Sequence, residues 1–333
     1  MKAQRDQINR FLRKTAETSN ALIENQDERL KFGLELVADL ISSVTPQKKS
    51  ENLIPREKDE RRNFFREQLL ALTEAIADHY EQVPNASTIT IYNFEQNRIA
   101  HEINTLNSFC ETGLMLDLGC ANGRNCFSLS KVFQKIIGVD ISPKMIQVAT
   151  SQKWRGSNAT LMKHIDFKIH DLEKGLPFIE NESVSMVIMN LGTGSDIEDT
   201  RMILHEISRA LKPNGRFLIS FYNASALFFN LPIIWPLSLE GEINNEDHCL
   251  DVHFQDRVFH LHAHSFTVRQ VNDLFQKVST LALSGIESFP TVMTLLPDAL
   301  LDKQAMETIT EIDKRLLDMK RGAYLLVTGY KNS

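Results

Sequence analysis

Cysteine is scarce in this chain. Its four cysteines, Cys110, Cys120, Cys126 and Cys249, are spread over 333 residues with no C-x-x-C pair among them. That spacing excludes a disulfide framework and a structural zinc ribbon, and it leads us to expect free thiols in a reducing compartment. Long apolar runs are also missing, so no segment of about twenty residues is encoded that would span a bilayer as a helix. The opening MKAQRDQINRFLRK is basic, but it lacks the apolar stretch of a secretory signal, and the expected location is cytoplasmic. There is no surplus of positive charge. The formal net charge is −6, the wrong sign for a protein whose main work is to hold a phosphate backbone, so nucleic acid is not the expected partner. Residues 1–90 carry 14 Lys and Arg against 15 Asp and Glu, which removes the case for a basic arm. No internal repeat or low-complexity tract occurs.

What is present reads as one α/β core of about 200 residues with additions at its N-terminus and inside it. Apolar residues at helical spacing, among them Leu30, Leu34, Val37, Leu40 and Ile41, predict a helix over most of 20–44. The stretch 46–60, PQKKSENLIPREKDE, has two prolines and many charges and reads as a solvated linker. A second helix is expected over 57–82, with Phe64, Leu69, Leu70, Leu72, Ala75 and Ile76 along one side. We divide the chain into an N-terminal helical extension, 1–85, and a main domain, 86–333, with a capping insertion at 224–264. The extension suits a cap or the interface of a homodimer. In the main domain, strands are expected near 114–118, 136–140, 165–169, 184–189, 216–221, 281–287 and 323–329, and helices near 123–133, 143–151, 199–211 and 267–277. This alternation argues for a mostly parallel sheet covered on both faces.

The most informative stretch is LMLDLGCANGRNCFSLS, Leu114 to Ser130. A short apolar strand runs into small residues, which let the backbone turn sharply and present free N–H groups to a ligand. A second apolar run, Ile136 to Val139, ends in Asp140, whose carboxylate at a strand tip can accept bonds from both hydroxyls of a ribose. Together they point to an adenosine-type cofactor. The string DLGCANG, then GVDISPKMI, then HDLEKGLPF at 170–178 resembles the successive motifs of class I S-adenosylmethionine-dependent methyltransferases. The resemblance is specific from about Asn107 to Phe221 and holds only in pattern from about Phe266 to Lys331. It implies a seven-stranded Rossmann-like sheet, S-adenosyl-L-methionine as cofactor, and S-adenosyl-L-homocysteine as product. It makes Gly119, Ala121 and Gly123 the cofactor turn and Asp117 an anchor for the amino-acid end. Asp140 becomes the ribose acid, Ile141 an apolar cover for the adenine, and Asp171, with its neighbour Leu172, the partner of the adenine amino group. The family usually has glycine where this chain has Ala121. Tyr92 and Arg98, on the segment leading to the first strand, are candidates to touch the cofactor's carboxylate.

After the fourth strand, NLGTGSDIED at 190–199 lies at the carboxyl edge of the sheet, where such folds place ligands. Asn190, Leu191 and Gly192 are expected to line the cofactor pocket, and Thr193, Ser195 and Asp196 to face the acceptor. The apolar run FFNLPIIWPL, Phe228 to Leu237, is broken by Pro232 and Pro236, which excludes a regular membrane span; it suits a roof over a substrate of apolar character, or a satellite core under a loop. In DRVFHLHAHSFT, His260, His262 and His264 alternate along one strand face; no third metal ligand is evident, and a metal site is not expected. His262, His264, Asp196 and Tyr222 are the candidate catalytic residues, needed as a base only if the acceptor is a hydroxyl. The expected reaction is methyl transfer to an O or N atom of a small molecule. Two rivals stand beside it: an RNA or protein methyltransferase that recognises its target through the N-terminal helices, and a cofactor-binding subunit without catalysis.

Overall fold

The computed structural model describes residues 54–82, 86–109, 111–153, 163–227, 240–244, 247–254, 257–296 and 301–333. The helix expected over 20–44, the apolar run 228–237 and Cys110 lie outside the described residues. Ten strands occur in chain order: β1 Leu114–Leu118, β2 Lys135–Asp140, β3 Ile165–Ile169, β4 Val184–Met189, β5 Leu211–Tyr222, β6 Glu240–Asn244, β7 Cys249–Phe254, β8 Arg257–His262, β9 Leu281–Phe289 and β10 Tyr324–Lys331. Seven of them form one sheet in the order β3-β2-β1-β4-β5-β10-β9, in which only β10 runs antiparallel to its neighbours. The central strands are short, continuous apolar runs because both sheet faces are covered. Every residue of β4, VSMVIM, is buried, and Leu116 of β1 sits between Ile137 of β2 and Val187 of β4. The edge strand β3 carries exposed Asp166 and Lys168, which discourage pairing with another chain.

Helices are α1 Lys58–Ile76, α2 Ala86–Leu106, α3 Arg124–Ser128, α4 Pro143–Lys153, α5 Thr193–Asp196, α6 Thr200–Ala210, α7 Val268–Gln276 and α8 Lys303–Arg315. One sheet face packs beneath α6 and α7 through Ile203, Leu204, Ile207, Val271 and Phe275. The other packs beneath α2 and α4 through Ile99, Ile103, Leu106 and Ile146. Local signals set the helix starts. Asp199 caps α6 by accepting from the Met202 N–H at 3.0 Å, and Thr267 with Gln270 forms a reciprocal capping box at α7. The helix expected over 123–133 is shorter, because Ser128 and Ser130 turn their hydroxyls back onto the Asn125 and Phe127 carbonyls at 3.0 and 2.8 Å. Such bonds compete with the helical ladder. α8, a largely polar segment between β9 and β10, was not among the expected helices; its Asp313 is buried and accepts three backbone N–H groups, from Thr291, Val292 and Met293.

Inside the 224–264 stretch, β6, β7 and β8 form a separate three-stranded antiparallel sheet. Its Leu250, Val252 and Phe259 share a buried cluster with Leu72 and Ile76 of α1 and with Met145 of α4. Strand and helix together stand over the carboxyl end of the large sheet.

Candidate functional site

Strand order reverses between β1 and β4, so their following loops diverge and leave a crevice at the carboxyl ends. The turn after β1 enters that crevice. Gly119 and Cys120 both donate to the Val139 carbonyl, at 2.8 and 2.9 Å, and Gly119, Ala121 and Gly123 take φ of +77°, +45° and +84°. A Cβ on Gly119 would stand 2.7 Å from Thr193 Cγ2, so only glycine lets the β1 and β4 turns meet. Asp140 fixes this geometry: its Oδ2 accepts from the Ala121 N–H at 2.8 Å and its Oδ1 from the Ser142 N–H at 2.9 Å. Burial raises the Asp140 carboxyl above its usual range, and those N–H groups oppose the rise.

A cavity of about 410 Å³ opens here. Gly119, Ala121, Asp140, Ile141, Asp171, Leu172, Asn190 and Leu191 all line it, so most of the residues assigned to the cofactor from sequence converge on one space. Asp117, Gly123 and Gly192 do not reach the wall. Asp117 lies fully buried behind the turn, with one oxygen 3.4 Å from the Cys126 thiol and the other without a partner; burial pushes its pKa up to about 6. Gly123 serves packing, since a Cβ there would collide with the Phe167 ring at 2.6 Å. Asp171 accepts from the Glu173 N–H at 3.1 Å and keeps its Oδ2 within 4.0 Å of Arg66 on α1. Tyr92 lines the cavity, with the Arg124 guanidinium 3.2 Å above its ring. Arg98 does not: it pairs with Glu287 on β9 at 2.5 Å, whereas Arg124 lines the wall beside Tyr92.

The cavity's other half is apolar. Phe65, Leu69, Leu72 and Ile76 of α1 face Leu250, Val252 and Leu261 of the small sheet. Where the halves meet stand Asp196, Tyr222 and His262. Asp196 Oδ1 is buried without a hydrogen-bond partner, and burial raises its pKa to about 7 against the Tyr222 hydroxyl, which bonds this carboxylate. Gly192, at φ +85°, holds the Tyr222 ring so closely that a Cβ would lie 2.5 Å from it. His262 Nε2 is likewise buried and unpartnered, and desolvation lowers its pKa to about 4, so the ring is neutral. Thr193 lines the wall, whereas Ser195 is spent on structure, its Oγ accepting from the Tyr222 N–H at 2.8 Å. His264 does not join them; its Nδ1 lies 3.2 Å from His248 Nδ1 and its ring packs on Phe266. His260 is engaged by Asp251 at 2.7 Å, and the Cys249 thiol lies 3.3 Å from the same oxygen, so three groups of metal-ligand type stand together where the sequence showed no third one.

Sequence reasoning did not assign the α1 and small-sheet walls, Arg124 or Tyr324. The apolar stripe of α1 was legible, but its target was not. The residues present fit an adenosyl cofactor. Asp140 retains lone pairs for a diol, Ile141 and Met145 supply an apolar slot, and Arg124 offers a cation to a carboxylate.

Comparison with known proteins agrees with this geometry. The model of a methyltransferase domain family matches residues 112–282, just over half of the chain. The chain is similar to a ubiquinone biosynthesis O-methyltransferase of Pelagibacter ubique, 24% identical over 160 residues, covering 45% of this chain and 63% of that one. It is also similar to the enzyme of the same name from Bradyrhizobium diazoefficiens, 29% identical over 142 residues, covering 42% of this chain and 50% of the relative. The match thus spans between half and two thirds of the length of these relatives. Among solved structures, the CcbJ methyltransferase from Streptomyces caelestis shares the fold with a TM-score of 0.54 at 14% identity, over 78% of this chain and 96% of that one. The chain belongs to the class I S-adenosylmethionine-dependent methyltransferases, with S-adenosylmethionine as its cofactor.

Proposed function

We propose that the enzyme methylates a hydroxyl of a small acceptor whose body is apolar. The observation that carries this reading is Asp196: a buried carboxylate oxygen without a partner, beside a neutral histidine, at the junction of the cofactor half and the apolar half. S-adenosylmethionine supplies a methyl group already activated on a sulfonium, so an amine needs only a free lone pair whereas a hydroxyl must also lose its proton. Asp196 Oδ1 is suited to take that proton, because a base works best with a pKa near the working pH, and the Tyr222 hydroxyl steadies the carboxylate. His262, being neutral, accepts or donates one hydrogen bond at Nε2 and orients the acceptor. Phe65, Leu69, Leu72, Leu250, Val252 and Leu261 exclude water and hold the apolar body. The names of the two curated relatives, both O-methyltransferases, support oxygen as the acceptor atom.

Among the described residues no helix is long and apolar enough to cross a membrane, and we place the reaction in the cytoplasm on the strength of the scattered spacing of the cysteines in the sequence. The decisive experiment offers methyl-labelled cofactor with a panel of alkyl-substituted phenols and the matching anilines. We expect label in the phenols and, for Asp196→Asn, a fall in kcat of about 10²- to 10⁴-fold with product binding unchanged. Transfer to anilines alone, or an Asp196→Asn variant with wild-type kcat, would overturn the reading.

A further inference from the structure

Glu95 takes no part in the chemistry described above, yet it holds a left-handed turn of the cofactor half. It lies in the middle of α2 and is fully buried. Its Oε1 accepts from the Leu191 N–H at 3.2 Å. Leu191 is a bulky residue at φ +53°, followed by Gly192 at +85°, and a side chain in that left-handed region costs on the order of 1–2 kcal/mol unless something holds it there. The neighbouring Gly192 N–H is taken by Ser220 Oγ at 2.7 Å. The Asn190 amide and the Ser220 hydroxyl lie alongside Glu95, but no group reaches its Oε2 in hydrogen-bond geometry. A buried carboxylate in such a place is retained for what its charge does, since an apolar residue would pack there without the desolvation penalty.

We propose that Glu95 is a positioning residue for the cofactor: through the Leu191 N–H it locks the Asn190–Gly192 turn in the shape that lines the cavity, and the lock is tight only while Glu95 is ionised. The proposal rests on the assignment of this half to the cofactor. A hydrogen bond to a carboxylate is about twice as strong as one to a neutral carboxyl, so the charge on a residue outside the cavity wall controls how well Asn190 and Leu191 are presented. Burial raises the Glu95 pKa to about 7, which sets the lock near neutrality. The groups facing it are Leu191 and Asn190 from the end of β4, Ser220 from β5, Arg124 from α3, which favours the charged form, and Tyr324 from β10, whose own ionisation Glu95 disfavours. Arg98, one turn along α2, is engaged with Glu287.

The test is calorimetric binding of S-adenosylhomocysteine to the full chain from pH 5.5 to 8.5, for wild type, Glu95→Gln and Glu95→Ala, with amide exchange at Leu191 as a second readout. Wild-type affinity should rise about threefold to tenfold between pH 6 and 8, as a neutral hydrogen bond becomes a charged one. Glu95→Gln keeps an acceptor for Leu191 but no charge, so its affinity should stay level from pH 6.5 upward, near the wild-type value at pH 6, and its Leu191 amide should exchange faster than wild type at pH 8. Any slope it retains at lower pH belongs to the other carboxyls that burial raises in this half, Asp117 and Asp140. Glu95→Ala should bind about tenfold or more weakly at pH 8. A Glu95→Gln profile parallel to wild type, or an unchanged Leu191 exchange rate at pH 8, overturns the proposal, and this holds even if the alanine variant fails to fold. Wild-type protein that binds no S-adenosylhomocysteine at any pH overturns the cofactor assignment of this half and the proposal with it.

Discussion

Replacing Asp140 with asparagine is a sharper test of the cofactor site than replacing it with alanine. Both backbone groups that meet the Asp140 carboxylate are donors, Ala121 N–H at 2.8 Å and Ser142 N–H at 2.9 Å. An asparagine is nearly isosteric but has one oxygen, so it can serve only one of them and must turn an NH₂ toward the other. The loss is at least one charge-assisted bond, worth about 1.5–3 kcal/mol, with a buried donor set against a donor. Ala121 then loses the bond that holds it at φ +45°, and the turn that presents the cofactor N–H groups relaxes. Because the amide also faces the ribose with fewer lone pairs, a second weakened bond of similar size is expected. Each 1.4 kcal/mol is a factor of ten, so two such losses should lower the affinity for S-adenosylhomocysteine by about 10²- to 10⁴-fold, read by titration calorimetry. Asp171→Asn is the internal control. Its Oδ1 accepts a single N–H, from Glu173, so an amide can keep that bond, and the loss should be about tenfold or less. Asp140→Asn binding within threefold of wild type would refute both the ribose role and the account of the turn.

Ala121→Gly should relieve the left-handed strain, about 1–2 kcal/mol, at an entropic cost of roughly 0.5–1 kcal/mol. The melting temperature should therefore hold or rise slightly with cofactor affinity kept, and a tenfold weaker affinity would show instead that the Ala121 methyl packs against the ligand. Stability without cofactor should depend on pH in an unusual direction. Burial raises Glu95 from 4.5 to about 7, Asp117 from 3.8 to about 6 and Asp196 from 3.8 to about 7, so the folded state holds more protons than the unfolded one between about pH 4 and 7. Stability is then fully present below pH 4 for these groups and is lost as pH rises through 6 and 7. Denaturant midpoints for wild type should fall across that window, and the fall should be smaller in an Asp196→Asn variant; an identical slope in the two would remove Asp196 from the account.

The parts legible in sequence are those encoded locally. Gly119, Asp140 and Asn190 each follow a short apolar run and Asp171 follows the alternating strand β3, and a parallel sheet brings the ends of successive strands to one edge, so reading the strands was enough to gather the residues. Arg98 and Arg124 show where this reasoning stops. Both sit within reach of the first strand in sequence, but Arg98 leaves α2 toward β9 and is neutralised by Glu287, while Arg124 starts α3 directly behind the turn and lies on Tyr92. Only the direction of a helix decides between them, and no spacing rule supplies it. The histidine run was ambiguous for a similar reason. His260 and His262 are in β8, whereas His264 lies beyond its end and turns toward His248.

The apolar half of the cavity has no local code at all. Its walls are Phe65, Leu69 and Leu72, some fifty residues before the first strand of the core, and Leu250, Val252 and Leu261, about thirty beyond the fifth. Each set is an ordinary amphipathic face, and an apolar stripe is satisfied equally well by a core, a partner or a ligand. What separates these outcomes is that the two faces do not close completely on one another: a cavity remains between them, and Asp196 Oδ1 and His262 Nε2, on its wall, are buried without partners. A core designed only for stability would have filled that space or satisfied those atoms, since each such group is worth about 1–3 kcal/mol. In the cofactor half Asp117 Oδ1 and Glu95 Oε2 also lack partners, but neither residue lines the cavity, whereas Asp196 and His262 do. Under the proposed function Asp196 Oδ1 and His262 Nε2 are the atoms that would take a hydroxyl proton and one hydrogen bond from the acceptor.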